Sequence, residues 1–195
     1  KASFAKADNL LSAAMYFPAA MIVEFAIAAP LEVKEMYRNL FDENIDICER
    51  VANFKKKSDE LLSTYGKGAK NHYQTENSIF TYLWLQYPDK YYIYKFREVK
   101  AVAEKLESDY LFKQGAYEDN IRNFLAFYDE INSELKQDSE LKLMLSNQID
   151  DECYGDNELK TLTIDFGYYI SRTLHADKNE VNDVDAQVTQ EAIGN

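Results

Sequence analysis

The sequence has little of what disulfide-rich, zinc-binding and loop-rich proteins need. Its 195 residues include two cysteines, two histidines, six glycines and three prolines. Cys48 and Cys153 lie far apart in the chain and belong to no Cys/His cluster, so we expect two reduced thiols, as in a cytoplasmic protein, rather than a disulfide framework or a metal site. The scarcity of glycine and proline favours long helices with few tight turns.

Basic side chains are also in the minority. The chain has 22 Lys and Arg against 34 Asp and Glu, a formal net charge of −12. This excludes a general coating of nucleic acid, whose affinity comes from cations that neutralise phosphates. The excess is uneven, however: residues 1–100 hold 14 basic and 13 acidic side chains, and residues 101–195 hold 8 and 21. A local contact of the first half with an anion therefore stays open beside the simpler interpretation, a solvated surface with an acidic tail.

The chain lacks a convincing membrane span. Residues 10–29 are long enough to cross a bilayer, but Pro18 interrupts them and Glu24 would be costly near the bilayer centre. We therefore predict buried helical turns and no membrane partner. Because the sequence begins at Lys1 rather than at Met, we also expect it to be a processed or excised fragment.

Aromatic residues, in contrast, are abundant. The 15 tyrosines and 11 phenylalanines exclude wholesale disorder and suffice for a well-packed core. We predict a single mostly helical domain over residues 1–175, with two subdomains that meet near residues 70–110 as the alternative. Residues 176–195 contain no aromatic residue and no sustained apolar stripe, which predicts a polar acidic linker or tail.

Apolar spacing predicts the helices. Pro30 is placed to begin a helix that runs through Phe41, and a second helix is predicted over residues 44–65, ended by Gly66 and Gly68. Four more apolar stripes with helical spacing follow Arg97, within residues 99–106, 121–135, 141–145 and 159–170.

The middle of the chain has a different pattern. Residues 79–87 and 91–95 are dense in Tyr, Phe, Trp, Ile and Thr, which favour strands, and Pro88 begins a turn between them. We therefore predict a mainly α fold with a small aromatic β-hairpin around residues 79–95. A helix that runs into Trp84 is the competing prediction, since apolar residues there would lie on both faces.

Known catalytic motifs are missing from the sequence. There is no phosphate-binding GxxxxGK[ST] loop, no GxGxxG and no GxSxG, and His72 and His175 lack partners at metal-ligand spacing. Pro88-Asp89 with Glu98-Val99-Lys100 has the letters of a nuclease motif, but the second part falls in a predicted helix. We predict no catalytic residue, no metal and no cofactor for this chain; an unrecognised or degenerate hydrolase is the weakest alternative.

Two clusters mix basic and aromatic residues. Because Lys and Arg contact phosphates and unpaired bases stack on aromatic rings, both clusters are candidates for nucleic-acid contact, although hairpin core and an ordinary polar face would give the same pattern. The candidate contact residues are Arg50, Lys55, Lys56, Lys57, Lys67, Lys70, Lys90, Tyr92, Tyr94, Lys95, Arg97 and Lys100.

Residues 17–107 resemble a region of McrB-like proteins. The resemblance is carried by Met36-Tyr37-Arg38-Asn39-Leu40-Phe41-Asp42-Glu43 and by Tyr87-Pro88-Asp89-Lys90-Tyr91-Tyr92-Ile93-Tyr94-Lys95, and it continues more weakly into the second half. McrB-like proteins are AAA-type NTPases of modified-cytosine restriction systems, and the similar region lies N-terminal to their motor.

The resemblance implies an accessory role. It suggests a cytoplasmic, non-catalytic domain that senses the target or couples to other domains or subunits of a restriction complex, and that contacts DNA locally. No catalytic residue of the family can be assigned here, because the Walker and nuclease motifs do not occur in this sequence. The alternative is a protein-interaction or assembly domain without nucleic-acid binding, whose acidic helices bind a basic partner.

Overall fold

The computed structural model describes residues 8–11, 18–150 and 152–173, and the regular secondary structure in these ranges is helical, which confirms the mainly α prediction. The predicted tail over residues 176–195 and His175 lie outside these ranges. The helices are α1 Asp8–Leu11, α2 Pro18–Ala28, α3 Pro30–Phe41, α4 Ile47–Tyr65, α5 Glu76–Gln86, α6 Phe96–Lys105, α7 Tyr117–Leu135, α8 Ser139–Gln148 and α9 Lys160–Thr173.

The first half of the fold follows local sequence signals. Pro30 is the first residue of α3, as predicted. Asp46 caps α4, because its side chain accepts a hydrogen bond from the backbone N–H of Cys48 at 2.9 Å. Gly66 ends α4, and Gly68, with a φ of 88°, makes the left-handed turn that follows. These signals set the bounds of two helices that pack against each other along their apolar faces.

The predicted hairpin around residues 79–95 is wrong. Residues 79–86 belong to α5, Pro88 and its neighbours form a turn, and residues 91–95 pair with no strand in the described structure. The competing prediction of a helix was the better one. Six consecutive residues of α5, from Ser78 to Leu83, are buried. A helix enclosed on most sides loses its polar face and with it the helical periodicity, so strand propensity misleads.

Residues 91–94 are nevertheless central to the fold, as an extended segment in the aromatic core. The Tyr94 ring lies 4.9 Å from the ring of Phe124 on α7, and the Tyr92 ring lies 5.4 Å from that of Tyr128. Asn77, at the start of α5, donates a hydrogen bond to the carbonyl oxygen of Tyr94 at 2.9 Å. The segment therefore connects α5 with α7. The same hydrophobic cluster includes residues from α1 to Ile170 in α9.

The predicted apolar stretch at residues 10–29 is described in part, as α1 and α2. Ile22 and Phe25 of α2 are buried in the core. Among the described helices, none combines the length and the apolarity that a bilayer span requires. Residues 12–17 lie outside the described ranges.

The C-terminal helix α9 packs against α6 and α7 through a glycine. Gly167 is buried, and a Cβ atom at this position would lie 2.4 Å from the Tyr128 hydroxyl oxygen and 3.1 Å from its Cζ. The hydroxyl has no hydrogen-bond partner among the described residues. The close approach of α9 to α7 thus requires the absence of a side chain at position 167.

We predict that Gly167→Ala destabilises the chain. The gain in helix propensity from glycine to alanine, about 1 kcal/mol, is outweighed by overpacking against a rigid, buried ring, which costs roughly 1–3 kcal/mol. Urea unfolding followed by circular dichroism would measure the free energy of unfolding. Adding Tyr128→Phe should restore most of the loss, and Gly155→Ala, whose Cβ would have its nearest neighbour at 3.8 Å, should be tolerated. An unchanged stability of Gly167→Ala would contradict the packing described.

Candidate functional site

Arg50, the first residue of the candidate nucleic-acid surface, is a core residue. It is 5% exposed, and its Nη1 and Nη2 donate hydrogen bonds to the carbonyl oxygen of Leu40 at 2.9 Å and to the hydroxyl oxygen of Tyr91 at 2.8 Å. Its guanidinium therefore joins the end of α3 to the extended segment after α5. A residue in this position presents no charge to a ligand on the surface.

The other cations of the first cluster are mostly paired with carboxylates. Lys55 lies 2.6 Å from Glu76 and has its ammonium 4.3 Å from the centre of the Tyr117 ring. Lys57 lies 2.7 Å from Glu32, and this contact lowers the pKa of the Glu32 carboxyl. These two pairs cancel charge that a phosphate would otherwise meet.

The paired cations continue at the end of α4. Lys67 is well exposed and lies 3.3 Å from Glu24. Its solvation makes this pair weak, since exposed ion pairs contribute little and are screened by salt. Lys67 is thus free to exchange Glu24 for another anion, unlike the half-buried Lys55.

In the second cluster, the candidate aromatic residues are buried in the core. Tyr92 is fully buried and Tyr94 is 5% exposed, so neither ring is available for stacking with a base. Lys90 forms an ion pair with Glu43, Lys95 lies 3.7 Å from Glu98, and Lys100 lies 3.7 Å from Glu104. The two candidate tyrosines therefore supply no stacking surface, and the three lysines of the cluster have carboxylate neighbours.

Three candidate cations have no such neighbour. Lys56, Lys70 and Arg97 are exposed, and no carboxylate oxygen of the described residues lies within 4 Å of their charged nitrogens. They lie in the middle of α4, in the loop that follows it and in α6. Of the candidate nucleic-acid contact residues, these three are neither buried nor paired, and the prediction of a nucleic-acid contact now rests on them.

A polar contact missed by the sequence analysis joins Tyr92, Asp129 and Lys160. The Lys160 ammonium lies 2.6 Å from both the Tyr92 hydroxyl and Asp129 Oδ1, and the hydroxyl donates to the same carboxylate at 2.8 Å. Burial, with a smaller effect of Asp129, raises the pKa of Tyr92 far above its usual value. The phenol stays neutral and the three groups satisfy one another, which makes them a connection between α7, α9 and the extended segment. No sequence motif could reveal it, since the residues are distant in the chain.

His72 is held by hydrogen bonds at both ring nitrogens. The backbone N–H of Gln74 donates to Nδ1 at 2.8 Å, and Nε2 lies 3.1 Å from Asp59 Oδ1. With Nδ1 acting as an acceptor, Nε2 carries the proton and donates it to Asp59. His72 therefore orders the loop after α4. Within the described part of the chain, no group of three or more His, Cys, Asp or Glu residues could hold a metal ion.

A groove of about 400 Å³ lies between α4 and α7. Val51 and Ile121 contribute apolar surface, and the Lys55–Glu76 pair and the Tyr117 ring lie at its side. Cys48 also lines the groove, but its thiol is buried, and burial raises its pKa. Lys55 and Glu76 neutralise each other, and Lys56 is a lining cation without a carboxylate neighbour among the described residues. The groove therefore offers a small apolar surface and no evident chemistry.

Helix α8 is the described element that takes no part in the core. None of its residues is buried, Leu143 is 61% exposed and Met144 is 60% exposed. Leu141 and Leu145 are half-buried but do not belong to the residues packed against the core cluster. None of the four apolar side chains of this ten-residue helix thus packs against the core cluster of the described chain, and two of them, Leu143 and Met144, are largely exposed.

The two ends of the segment that carries α8 are held together. Lys136 lies 2.5 Å from Glu158, and Asn132 of α7 donates a hydrogen bond to the carbonyl oxygen of Glu158 at 2.9 Å. Tyr154 also contacts Asp89 in the turn after α5. The segment over residues 136–158 is therefore anchored at its base, while α8 exposes Leu143 and Met144 to solvent.

We predict that Arg50→Lys destabilises the fold. The lysine keeps the charge but loses the planar fork that reaches Leu40 and Tyr91, and the loss of buried charge-assisted hydrogen bonds costs roughly 2 kcal/mol. Lys56→Ala, a change at an exposed cation of the same helix, should alter stability by less than about 0.5 kcal/mol. Chemical denaturation of both variants makes the measurement. Equal effects at the two positions would show that Arg50 is not the structural residue described.

A second prediction concerns Glu98, whose side chain is 9% exposed. Burial raises the pKa of this carboxyl, and Lys95 and Arg172 only partly oppose it. Because its pKa is higher in the folded than in the unfolded chain, its stabilising contribution is complete below the unfolded pKa and is lost as pH rises through the folded pKa.

Glu98→Gln should therefore raise the denaturation midpoint at pH 7, and the difference from the unchanged protein should vanish as pH falls below the unfolded pKa of glutamate. Glu104→Gln, at an exposed position of the same helix, is the matched control for the loss of one carboxylate. A destabilised Glu98→Gln protein at pH 7 would mean that the ion pair with Lys95 outweighs burial.

Comparison of the chain with known proteins identifies no relative. No family model, no curated protein and no solved structure matches the chain. The resemblance of residues 17–107 to McrB-like proteins stays a prediction, and the surfaces of the chain itself are the basis for a functional proposal.

Proposed function

We propose that this chain is a non-catalytic accessory domain that binds another protein or another domain. The observation that carries the proposal is α8, which leaves Leu141, Leu143, Met144 and Leu145 unpacked against the core of the described chain. Single exposed apolar residues are common on protein surfaces. Helix α8 differs, because it has no fully buried residue and yet carries four apolar ones on one element. A protein partner is the kind of ligand that such a surface fits.

The charge distribution supports protein binding over nucleic-acid binding. Most of the predicted contact lysines have carboxylate neighbours, and Arg50, Tyr92 and Tyr94 are buried. The acidic excess lies in residues 101–195, which include α8. An acidic surface repels phosphates and steers basic proteins toward the domain.

The polar groups with catalytic potential support the non-catalytic part of the proposal. Both ring nitrogens of His72 are engaged, and Tyr92, Asp129 and Lys160 satisfy one another. A general acid or base needs a position from which it can reach a substrate proton. These groups instead hold loops and helices in place.

The resemblance to McrB-like NTPases suggests the kind of complex in which the domain would act. In that setting, the domain would couple the motor to another subunit of a cytoplasmic restriction complex, and α8 would be the coupling surface. The parent protein would then hydrolyse nucleotide in a domain other than this one.

A local contact with DNA is the second candidate function. Lys56, Lys70 and Arg97 favour it, because they are exposed and lie away from the described carboxylates. Their three separate locations in α4, the following loop and α6 would allow contacts to phosphates but supply no readout of bases. Such a contact would be weak and strongly dependent on salt.

The two candidates are separated by direct DNA binding. Fluorescence anisotropy with labelled duplex and single-stranded DNA, with and without modified cytosine, should show no salt-sensitive binding tighter than about 1 mM between about 50 and 200 mM salt. Binding that is salt-sensitive and lost in a Lys56→Ala, Lys70→Ala, Arg97→Ala triple variant would favour the DNA contact and contradict the proposal. A Lys55→Ala, Lys57→Ala double variant, which removes paired cations, is the control for general loss of charge.

A further inference from the structure

The exposed face of α8 combines apolar and acidic side chains. Residues three and four positions apart are neighbours on a helix, so Glu140 lies next to both Leu143 and Met144. Leu143 and Met144 are each about 60% exposed. The side chains that a partner would meet are therefore two apolar ones with a carboxylate between them.

The length of α8 indicates that a cover is needed. A helix of fewer than about 12–15 residues is marginally stable in water without tertiary packing. Helix α8 has ten residues, none of them fully buried. Its support within the described chain is the partial burial of Leu141 and Leu145 and the cap at Asp138, which accepts a hydrogen bond from the backbone N–H of Leu141 at 2.9 Å. A surface that packs on its apolar side chains would supply the missing stabilisation.

The charge around α8 selects the kind of cover. Residues 134–158 contain eight acidic and two basic side chains. Lys136 is paired with Glu158, and Asp156 is buried at the start of α9, where it accepts backbone hydrogen bonds. The other six acidic residues are then opposed by one lysine, Lys142 of α8. Hydrogen bonds from Cys153 and from the backbone N–H of Glu152 lower the pKa of Asp150, which keeps this carboxylate ionised beside the end of the helix. A partner that buries Leu143 and Met144 must accommodate this negative field.

We infer that α8 is the docking site for a basic amphipathic helix of another protein. Such a helix would place its apolar stripe on Leu143 and Met144 and its flanking Lys or Arg side chains near Glu140 and the acidic residues around α8. This inference rests on the proposed protein-binding function and names the chemical class of the partner.

A second copy of the chain fits α8 less well. Two α8 surfaces facing each other would bring together two segments that each carry six more acidic than basic residues over positions 134–158. Like charges at an interface oppose association. Self-association through α8 is therefore an outcome that the experiment must be able to detect, and light scattering of the unmixed protein detects it.

The experiment uses the whole chain and three labelled synthetic helical peptides of about 18 residues that share one leucine stripe. The polar positions are lysine in the first peptide, glutamate in the second and serine in the third. We expect the lysine peptide to bind with a salt-dependent affinity, and we expect Leu143→Ser with Met144→Ser to weaken it by about tenfold or more. Ile27→Ser with Leu31→Ser removes two still more exposed apolar residues elsewhere and should change the affinity by less than about twofold.

Hydrogen exchange provides an independent readout. The amides of α8 should exchange rapidly in the free chain and become protected when the lysine peptide binds, whereas those of α7 should be protected in both states. The serine substitutions at positions 143 and 144 should leave the thermal unfolding midpoint unchanged, because neither residue is buried. Strong protection of α8 in the free, monomeric chain would overturn the inference, since another part of the same chain would then cover the helix.

The results separate the partner class from the function. If the glutamate or serine peptide binds better than the lysine peptide, and binding depends on Leu143 and Met144, the protein-binding function holds and the basic partner is overturned. If the lysine peptide binds equally well to the Leu143→Ser, Met144→Ser variant, the docking site is overturned. If no peptide binds while DNA does, the proposed function falls as well.

Discussion

The fold depends on the packing of α7 against the extended segment of residues 91–94. The rings of Tyr92 and Tyr94 lie against Phe124 and Tyr128, and the backbone of the segment is held by Asn77 at the start of α5. Two hydrogen bonds connect this segment to the rest of the fold. Arg50 in the first half of the chain donates to Tyr91, and Lys160 in α9 donates to Tyr92. An aromatic segment without regular secondary structure thus holds together helices that are distant in sequence.

This arrangement explains why the aromatic and basic residues do not form a nucleic-acid surface. The tyrosines of residues 91–94 are used in the core, where the hydroxyl of Tyr91 bonds to a buried arginine and that of Tyr92 bonds to a lysine and a carboxylate. Arg50 is the clearest case: its position among lysines in the sequence indicates a basic surface, yet its hydrogen bonds are made inside the molecule. The unpaired candidate cations are dispersed over α4, the following loop and α6, and the acidic excess lies in residues 101–195.

The helices with a polar face and a local signal at their ends were predictable from the sequence. Pro30 marks the start of α3 and Gly66 marks the end of α4, because their backbone preferences act locally. The sequence predicts a strand for most of α5, because burial on most sides removes the polar face. Without that face, the apolar residues no longer show the spacing that distinguishes a helix from a strand. The contact of Lys160 with Asp129 and Tyr92 could not be predicted, since it joins residues that only the complete fold brings together. The apolar stripe of α8 was recognised as a helix, but the sequence cannot show that nothing in the described core packs on it.

The anchoring of residues 136–158 has a further consequence for how the domain can change over time. Lys136 and Asn132 close the base of this segment at Glu158, and no residue of α8 is fully buried. Substitutions at the exposed positions of α8 therefore cost little folding free energy. The helix can acquire a new recognition surface, or lose an old one, while the rest of the sequence remains under the constraints of its aromatic core. Partner choice and stability are encoded in separate parts of this chain, and related chains can diverge in one without endangering the other.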